Sequence, residues 1–144
     1  MGNGGSAATA SHLATDLSKT AHVKGRPRIK CVALNDNAAY MTAIGNDIGF
    51  DEVYSIQLEA LVEPRDLVIF VTGSGNSKNI LRAARVAKKA GAVSAGLLGF
   101  DGGALKSLVD FYLLISSDQY GVLEDLHMSI GHIVTFWLKQ RIAP

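Results

Sequence analysis

The stretch Leu67-Val68-Ile69-Phe70-Val71-Thr72-Gly73-Ser74-Gly75-Asn76-Ser77, followed by a helical pattern over Lys78 to Ala90, decides the fold of this 144-residue chain. Its first five residues are apolar without alternation, the pattern of a strand buried on both faces. The Gly/Ser run that follows cannot prolong the strand and opens directly into a helix. Gly91 stands just past that helix, where a left-handed cap is expected. Val93 to Leu98 supplies the next strand, so the unit reads strand–helix–strand, with parallel pairing and a right-handed crossover.

The same alternation extends outward in both directions. Downstream come Gly99-Phe100-Asp101-Gly102-Gly103, a short helix over Ala104 to Leu108, a strand over Phe111 to Ile115 and a closing helix over Tyr120 to Ile142. Upstream, Ser6 is expected to cap a helix running to about Lys19, and Ala21 to Arg28 forms a connector with Gly25 and Pro27. Ile29 to Leu34 reads as a short strand, and Asn35-Asp36-Asn37 caps a helix over Ala38 to Ile44. Gly45-Asn46-Asp47 is a break, and Phe50 to Leu61 carries a further helical pattern that stops before Pro64. The expectation is one α/β domain, a parallel sheet with helices on both faces.

Composition narrows the function. Fourteen basic against thirteen acidic residues leave no strongly charged face for nucleic acid or an anionic membrane. Lys24, Arg26, Arg28 and Lys30 flank Pro27 without interleaved aromatics and read as a solvated connector. The single cysteine, Cys31, sits in an apolar run and reads as a buried core thiol. No apolar run is long enough to span a bilayer and no secretory signal is recognised, so the expected compartment is the cytoplasm.

Two glycine-rich loops open helices. Gly2-Asn3-Gly4-Gly5-Ser6 precedes the first helix and Thr72 to Ser77 precedes the helix from Lys78. Each offers backbone N–H groups and the positive end of a helix dipole, which suit phosphate. The second lacks the Gly-Lys-Ser/Thr of a P-loop, so hydroxyls and N–H groups alone would hold the anion. Two such loops in one short domain favour a phosphorylated ligand. On the first helix, His12 and Asp16 are one turn apart on one face. The closing helix carries Glu124, Asp125, His127 and His132. Glu124 and His132 are about 80° apart around it; Asp125 and His132 align better, so spacing does not select the carboxylate. His127 reads as a partly exposed helical residue. A histidine and a carboxylate from each of two helices form an N/O donor set suited to zinc or a similar divalent ion.

Gly2-Asn-Gly-Gly-Ser6, Gly73-Ser-Gly-Asn-Ser77, Gly99-Phe-Asp-Gly-Gly103 and Glu124-Asp-Leu-His127 followed by His132 resemble the sugar isomerase (SIS) domain, and within it the phosphoheptose isomerase group. The motifs occur in family order along essentially the whole chain. The resemblance implies a flavodoxin-like three-layer domain and aldose–ketose isomerisation of sedoheptulose 7-phosphate to a heptose 7-phosphate. It places Asn3, Gly4, Gly5, Ser6, Thr72, Gly73, Ser74 and Ser77 on the substrate and its phosphate, and Asp36 near the sugar. His12, Asp16, Glu124 and His132 would hold a divalent metal, zinc in the family, with Asp16 and His132 as the acid/base pair. A homo-oligomer, tetramer or dimer, is implied as well. Proton transfer between C1 and C2 through an enediol needs such a base, acid and electrophile.

The chain departs from the family pattern at Asp16, where Glu is found, at Glu124, where Gln is found, at Thr9, where Asp is found, and near Thr20, where the family has an Arg. The first two look concerted, since Asp16 loses reach while Glu124 adds charge at the same proposed metal. They resemble a sister group within the family. A non-catalytic phosphosugar-binding regulator or adaptor is the alternative that SIS-type relatives suggest. Family members also place a helical segment and a first, central strand ahead of the Gly-Asn-Gly-Gly-Ser loop. This chain is therefore expected to be an N-terminally shortened SIS domain spanning residues 1–144, without that strand.

Overall fold

The computed structural model describes residues 1–143. A parallel three-stranded sheet of order β1-β2-β3 forms its centre, with β1 at Leu67–Thr72, β2 at Val93–Leu98 and β3 at Phe111–Leu114. Thr72 pairs with Leu98 and Leu98 with Leu114, so the three strands end together and their C-terminal ends form one rim. The apolar run of β1 explains its place, since Phe70 and Val71 are almost wholly buried.

The helices are α1 (Gly5–Thr15), α2 (Ala38–Asp47), α3 (Ser55–Leu61), α4 (Lys78–Ala90) and α5 (Tyr120–Ile142). On α4, Ile80, Ala83, Ala84 and Ala87 recur at helical spacing and bury one stripe against Val68, Phe70 and Leu98 of the sheet and Leu58 of α3. Gly91 ends α4 with φ 74°, the left-handed cap expected. On the other face α1 packs against α5, where Leu13 approaches Gly131. The result is the expected three-layer α/β/α arrangement.

Several local expectations change. Ser6 is not the N-cap of α1: Gly4 takes that position with φ 56° and ψ −128°, a backbone geometry that favours glycine, so the helix begins earlier. The first helix also does not run regularly to Lys19. At Asp16–Thr20 it widens into a π turn, with the Ala21 N–H donating to the Asp16 carbonyl at 2.8 Å. α2 continues through Gly45 to Asp47, and the helix expected over Phe50 to Leu61 divides into a 3₁₀ turn at Phe50–Glu52 and α3.

The strand expected over Ile29 to Leu34 does not form. A strand exists only through a hydrogen-bonded neighbour, and among the described residues this segment has none. The outer edge of β1 is instead met by Met1, whose amino group donates to Ile69 O at 2.9 Å and whose carbonyl accepts from Val71 N–H at 2.9 Å. Val32 is 72% exposed as a result, and Cys31 is half-buried rather than a core thiol, with partial burial raising its pKa.

Candidate active site

The two glycine loops lie side by side because α1 and α4 both begin near the end of β1. Gly2 is pressed against β1: a Cβ there would stand 2.7 Å from Val71 O. Its carbonyl accepts a hydrogen bond from the buried Tyr54 hydroxyl, whose pKa burial pushes up to about 12. Asn3 and Asn79 then join the loops directly. Asn3 Nδ2 donates to Asn79 Oδ1, and Asn79 Nδ2 donates back to Asn3 Oδ1, both at 3.0 Å.

Within the second loop, Gly75 N–H donates to Thr72 Oγ1 at 3.2 Å and Asn76 N–H to Ser74 Oγ at 3.3 Å. Ser77 is the N-cap of α4, but its hydroxyl makes no capping bond and stays free for a ligand. Behind the loop, Gly75 is so close to Gly102 that a side chain would overlap its carbonyl, and Ala104 N–H donates to Asn76 Oδ1 at 2.9 Å. The edge-to-face rings of Phe100 and Tyr120, 5.1 Å between centroids, close over Gly73. The loop is therefore preformed, with the free hydroxyl of Ser77 at the start of α4.

His12 on α1 and His132 on α5 converge with Asp16 at the foot of α1. The two Nε2 atoms are 3.0 Å apart, and Asp16 Oδ2 lies 3.5 Å from His12 Nε2 and 3.7 Å from His132 Nε2. Two ring nitrogens and a carboxylate oxygen aimed at one point give three candidate donors for one cation. In a tetrahedral zinc site, ligand atoms stand about 3.4 Å from each other, so these separations fit such an ion. Thr20 Oγ1 donates to Asp16 Oδ1 at 2.9 Å and leaves Oδ2 pointing at the histidines. Thr20 entered the sequence reading only as a departure from the family pattern, and its bond to Asp16 was missed although its spacing of four was a signal.

Glu124 is not among these three donors. Its carboxylate lies directly over Gly5, so closely that a Cβ on Gly5 would overlap it. Asp125 is exposed, and neither carboxylate of α5 joins the cluster. Asp36 accepts from the Ser11 hydroxyl, next to His12 on α1, and from Asn35 Nδ2 at 3.1 Å. His127 corrects the exposed reading: it is fully buried, with Nε2 3.3 Å from Leu98 O and no partner for Nδ1. A carbonyl only accepts, so Nε2 carries the proton, and burial holds the imidazole pKa below its usual value.

A three-layer α/β domain with two adjacent glycine-rich loops and a histidine–carboxylate cluster spanning two helices defines the class. Residues 1–99 match the family model described as SIS domain, and the chain belongs to that family. It is similar to the phosphoheptose isomerase of Trichlorobacter lovleyi, 41% identical over 140 residues that cover 97% of this chain and 71% of that protein. The phosphoheptose isomerase of Geobacter sulfurreducens is 39% identical over all of this chain and 76% of its own length. Among solved structures, the phosphoheptose isomerase of Francisella tularensis superposes with a TM-score of 0.89 at 32% identity, covering 96% of this chain and 74% of that one. That of Neisseria gonorrhoeae gives 0.90 at 31% identity, covering 97% and 74%.

Proposed function

We propose that the chain is a phosphosugar aldose–ketose isomerase that interconverts sedoheptulose 7-phosphate and a heptose 7-phosphate. The observation that carries this reading is the meeting of His132 of α5 with His12 and Asp16, which stand at the far end of the helix that opens on a glycine loop. One end of α1 thus offers anion-binding N–H groups, and about two turns further along it, ~10 Å away, stands His12 of the cluster. A substrate with a phosphate at one end and a carbonyl at the other suits such a site. The likeness to phosphoheptose isomerases, over nearly the whole chain, supports the same substrate.

Ser6, Thr72, Ser74 and Ser77, with the N–H groups of Gly4, Gly5 and Gly73, hold the phosphate. Asn3 supports the first loop, and Asp36 faces the sugar hydroxyls beside His12. Asp16 and His132 form the acid/base pair that takes the proton from one of the two carbons and returns it to its neighbour. His12, Asp16 and His132 would hold a divalent ion, zinc by the donor set, and Glu124 is the nearest further carboxylate on α5. When bound, that ion polarises the carbonyl and hydroxyl oxygens of the substrate. Exposed Ile133, Val134, Phe136 and Trp137 on α5 support a homo-oligomer, dimer or tetramer, in the cytoplasm. No described helix is long and apolar enough to cross a membrane.

The test is turnover of sedoheptulose 7-phosphate by zinc-loaded protein, followed by NMR of the anomeric protons, with and without chelator. Formation of the aldose that chelation stops is the expected result. A metal-loaded protein that binds the sugar phosphate without converting it would replace the isomerase with a phosphosugar-binding regulator.

A further inference from the structure

We infer that Asn79 is a positioning residue that sets the distance between the two phosphate loops by acting through Asn3. The inference rests on the reading that both loops bind one phosphate. Asn79 is in the first turn of α4, two residues after Ser77, and only 2% exposed. A buried primary amide needs both its N–H groups and its oxygen satisfied. Asn79 Oδ1 accepts from the Ile80 N–H at 2.9 Å as well as from Asn3 Nδ2 at 3.0 Å. That backbone donor fixes which end of the amide is oxygen, so Nδ2 must face Asn3 Oδ1. The Asn3–Asn79 pair is thus oriented from the α4 side.

The loop it holds has little other support from outside. A Cβ on Gly4 would meet nothing within 4 Å, so the loop is open at Gly4, while the Glu124 carboxylate covers Gly5. Beneath it, Gly2 is anchored by Tyr54 and β1, and Asn3 by Asn79. Tyr54 ties the loop to α3, whereas Asn79 ties it to the helix that carries Ser77. Among the described residues, the amide pair supplies the hydrogen bonds that join the first loop to the start of α4. Residues 3 and 79 are remote in sequence, and phosphate oxygens shared between the loops need the separation held to a fraction of an ångström.

The test measures inorganic phosphate affinity by ³¹P NMR and zinc affinity by competition, in the full chain, for Asn79→Ala, Asn3→Ala and the double variant. Asn79→Ala is expected to weaken phosphate about tenfold, the order of one lost net hydrogen-bond pair, and to raise KM for the sugar phosphate with kcat little changed. Zinc affinity should stay within about twofold of wild type, because the His12–Asp16–His132 cluster is at the other end of α1. In the Asn3→Ala background, Asn79→Ala should add less than about twofold, since Asn79 then has nothing to act through. Asn79→Asp keeps size and the Ile80 contact, and carries the same test should the alanine variant not fold. Equal losses in both backgrounds, or a fall in melting temperature with phosphate affinity intact, overturn the inference. Wild type that binds no phosphate overturns the two-loop reading beneath it.

Discussion

His12 and His132, 120 residues apart in the chain, bring their Nε2 atoms to 3.0 Å, with their rings inclined at 65°. Two neutral imidazoles hold that approach only if one donates to the other or both turn lone pairs to a shared cation. The Asp16 carboxylate within 3.7 Å of both favours the second arrangement.

Replacing either histidine would therefore remove a donor of the proposed metal centre. His12→Ala and His132→Ala should each abolish stoichiometric zinc retention after dialysis, read by atomic absorption. His132→Ala should in addition lower kcat by about 10²–10⁴-fold through loss of the proton-transfer group. Both rings are about half exposed, so melting temperatures should move little. Retained zinc in both variants would exclude this cluster as the metal centre.

Thr20 holds the far oxygen of Asp16 at 2.9 Å. Thr20→Val keeps the shape and removes the bond, freeing the carboxylate to rotate. Zinc affinity should fall about tenfold, as for loss of a ligand's hydrogen-bond partner, and Thr20→Ser should restore it. Competition with a chromophoric chelator measures both.

Glu124 places a carboxylate over Gly5, at the helix end proposed for phosphate. Two anions there repel each other, so Glu124→Gln should lower the KM for the sugar phosphate several-fold, most strongly at low salt. Zinc affinity should change by less than about threefold, because Glu124 is outside the three-donor cluster. A large loss of zinc would show instead that the side chain swings onto the metal when it is bound.

Buried His127 makes stability pH-dependent. Its folded pKa is below the ordinary 6.5, so in acid the unfolded chain takes up a proton that the folded one resists. Stability from this group is fully present above about pH 6.5 and is lost as pH falls below that value toward the folded pKa. His127→Gln keeps a donor for Leu98 O and cannot titrate. Urea unfolding at pH 7.5 and 5.0 should therefore show a smaller pH difference for the variant than for wild type.

Much of the fold was legible because its signals are local. The unbroken apolar run of β1, the alanine stripe of α4 and the cap at Gly91 each follow from neighbours in the chain, and each formed as expected. The α1 and α5 residues of the cluster were legible as donor types at helical spacing. Spacing alone could not choose between Glu124 and Asp125, and the structure brings neither to the histidines.

What the sequence by itself determined, then, is the α/β alternation, the two Gly/Ser loops and the stock of histidines and carboxylates. These depend on backbone propensity and period, which the chain carries residue by residue. Tertiary structure alone decided the rest. Ile29 to Leu34 has strand composition but, among the described residues, no strand to pair with, so no strand forms there. His127 turned inward because the rotation of α5 is set by its packing against α1 and the turn at Asp16–Thr20, and Glu124 came to lie over Gly5 for the same reason. The Asn3–Asn79 bridge had no signal at all, since a pair of amides 76 residues apart becomes a bond only once two helices start side by side.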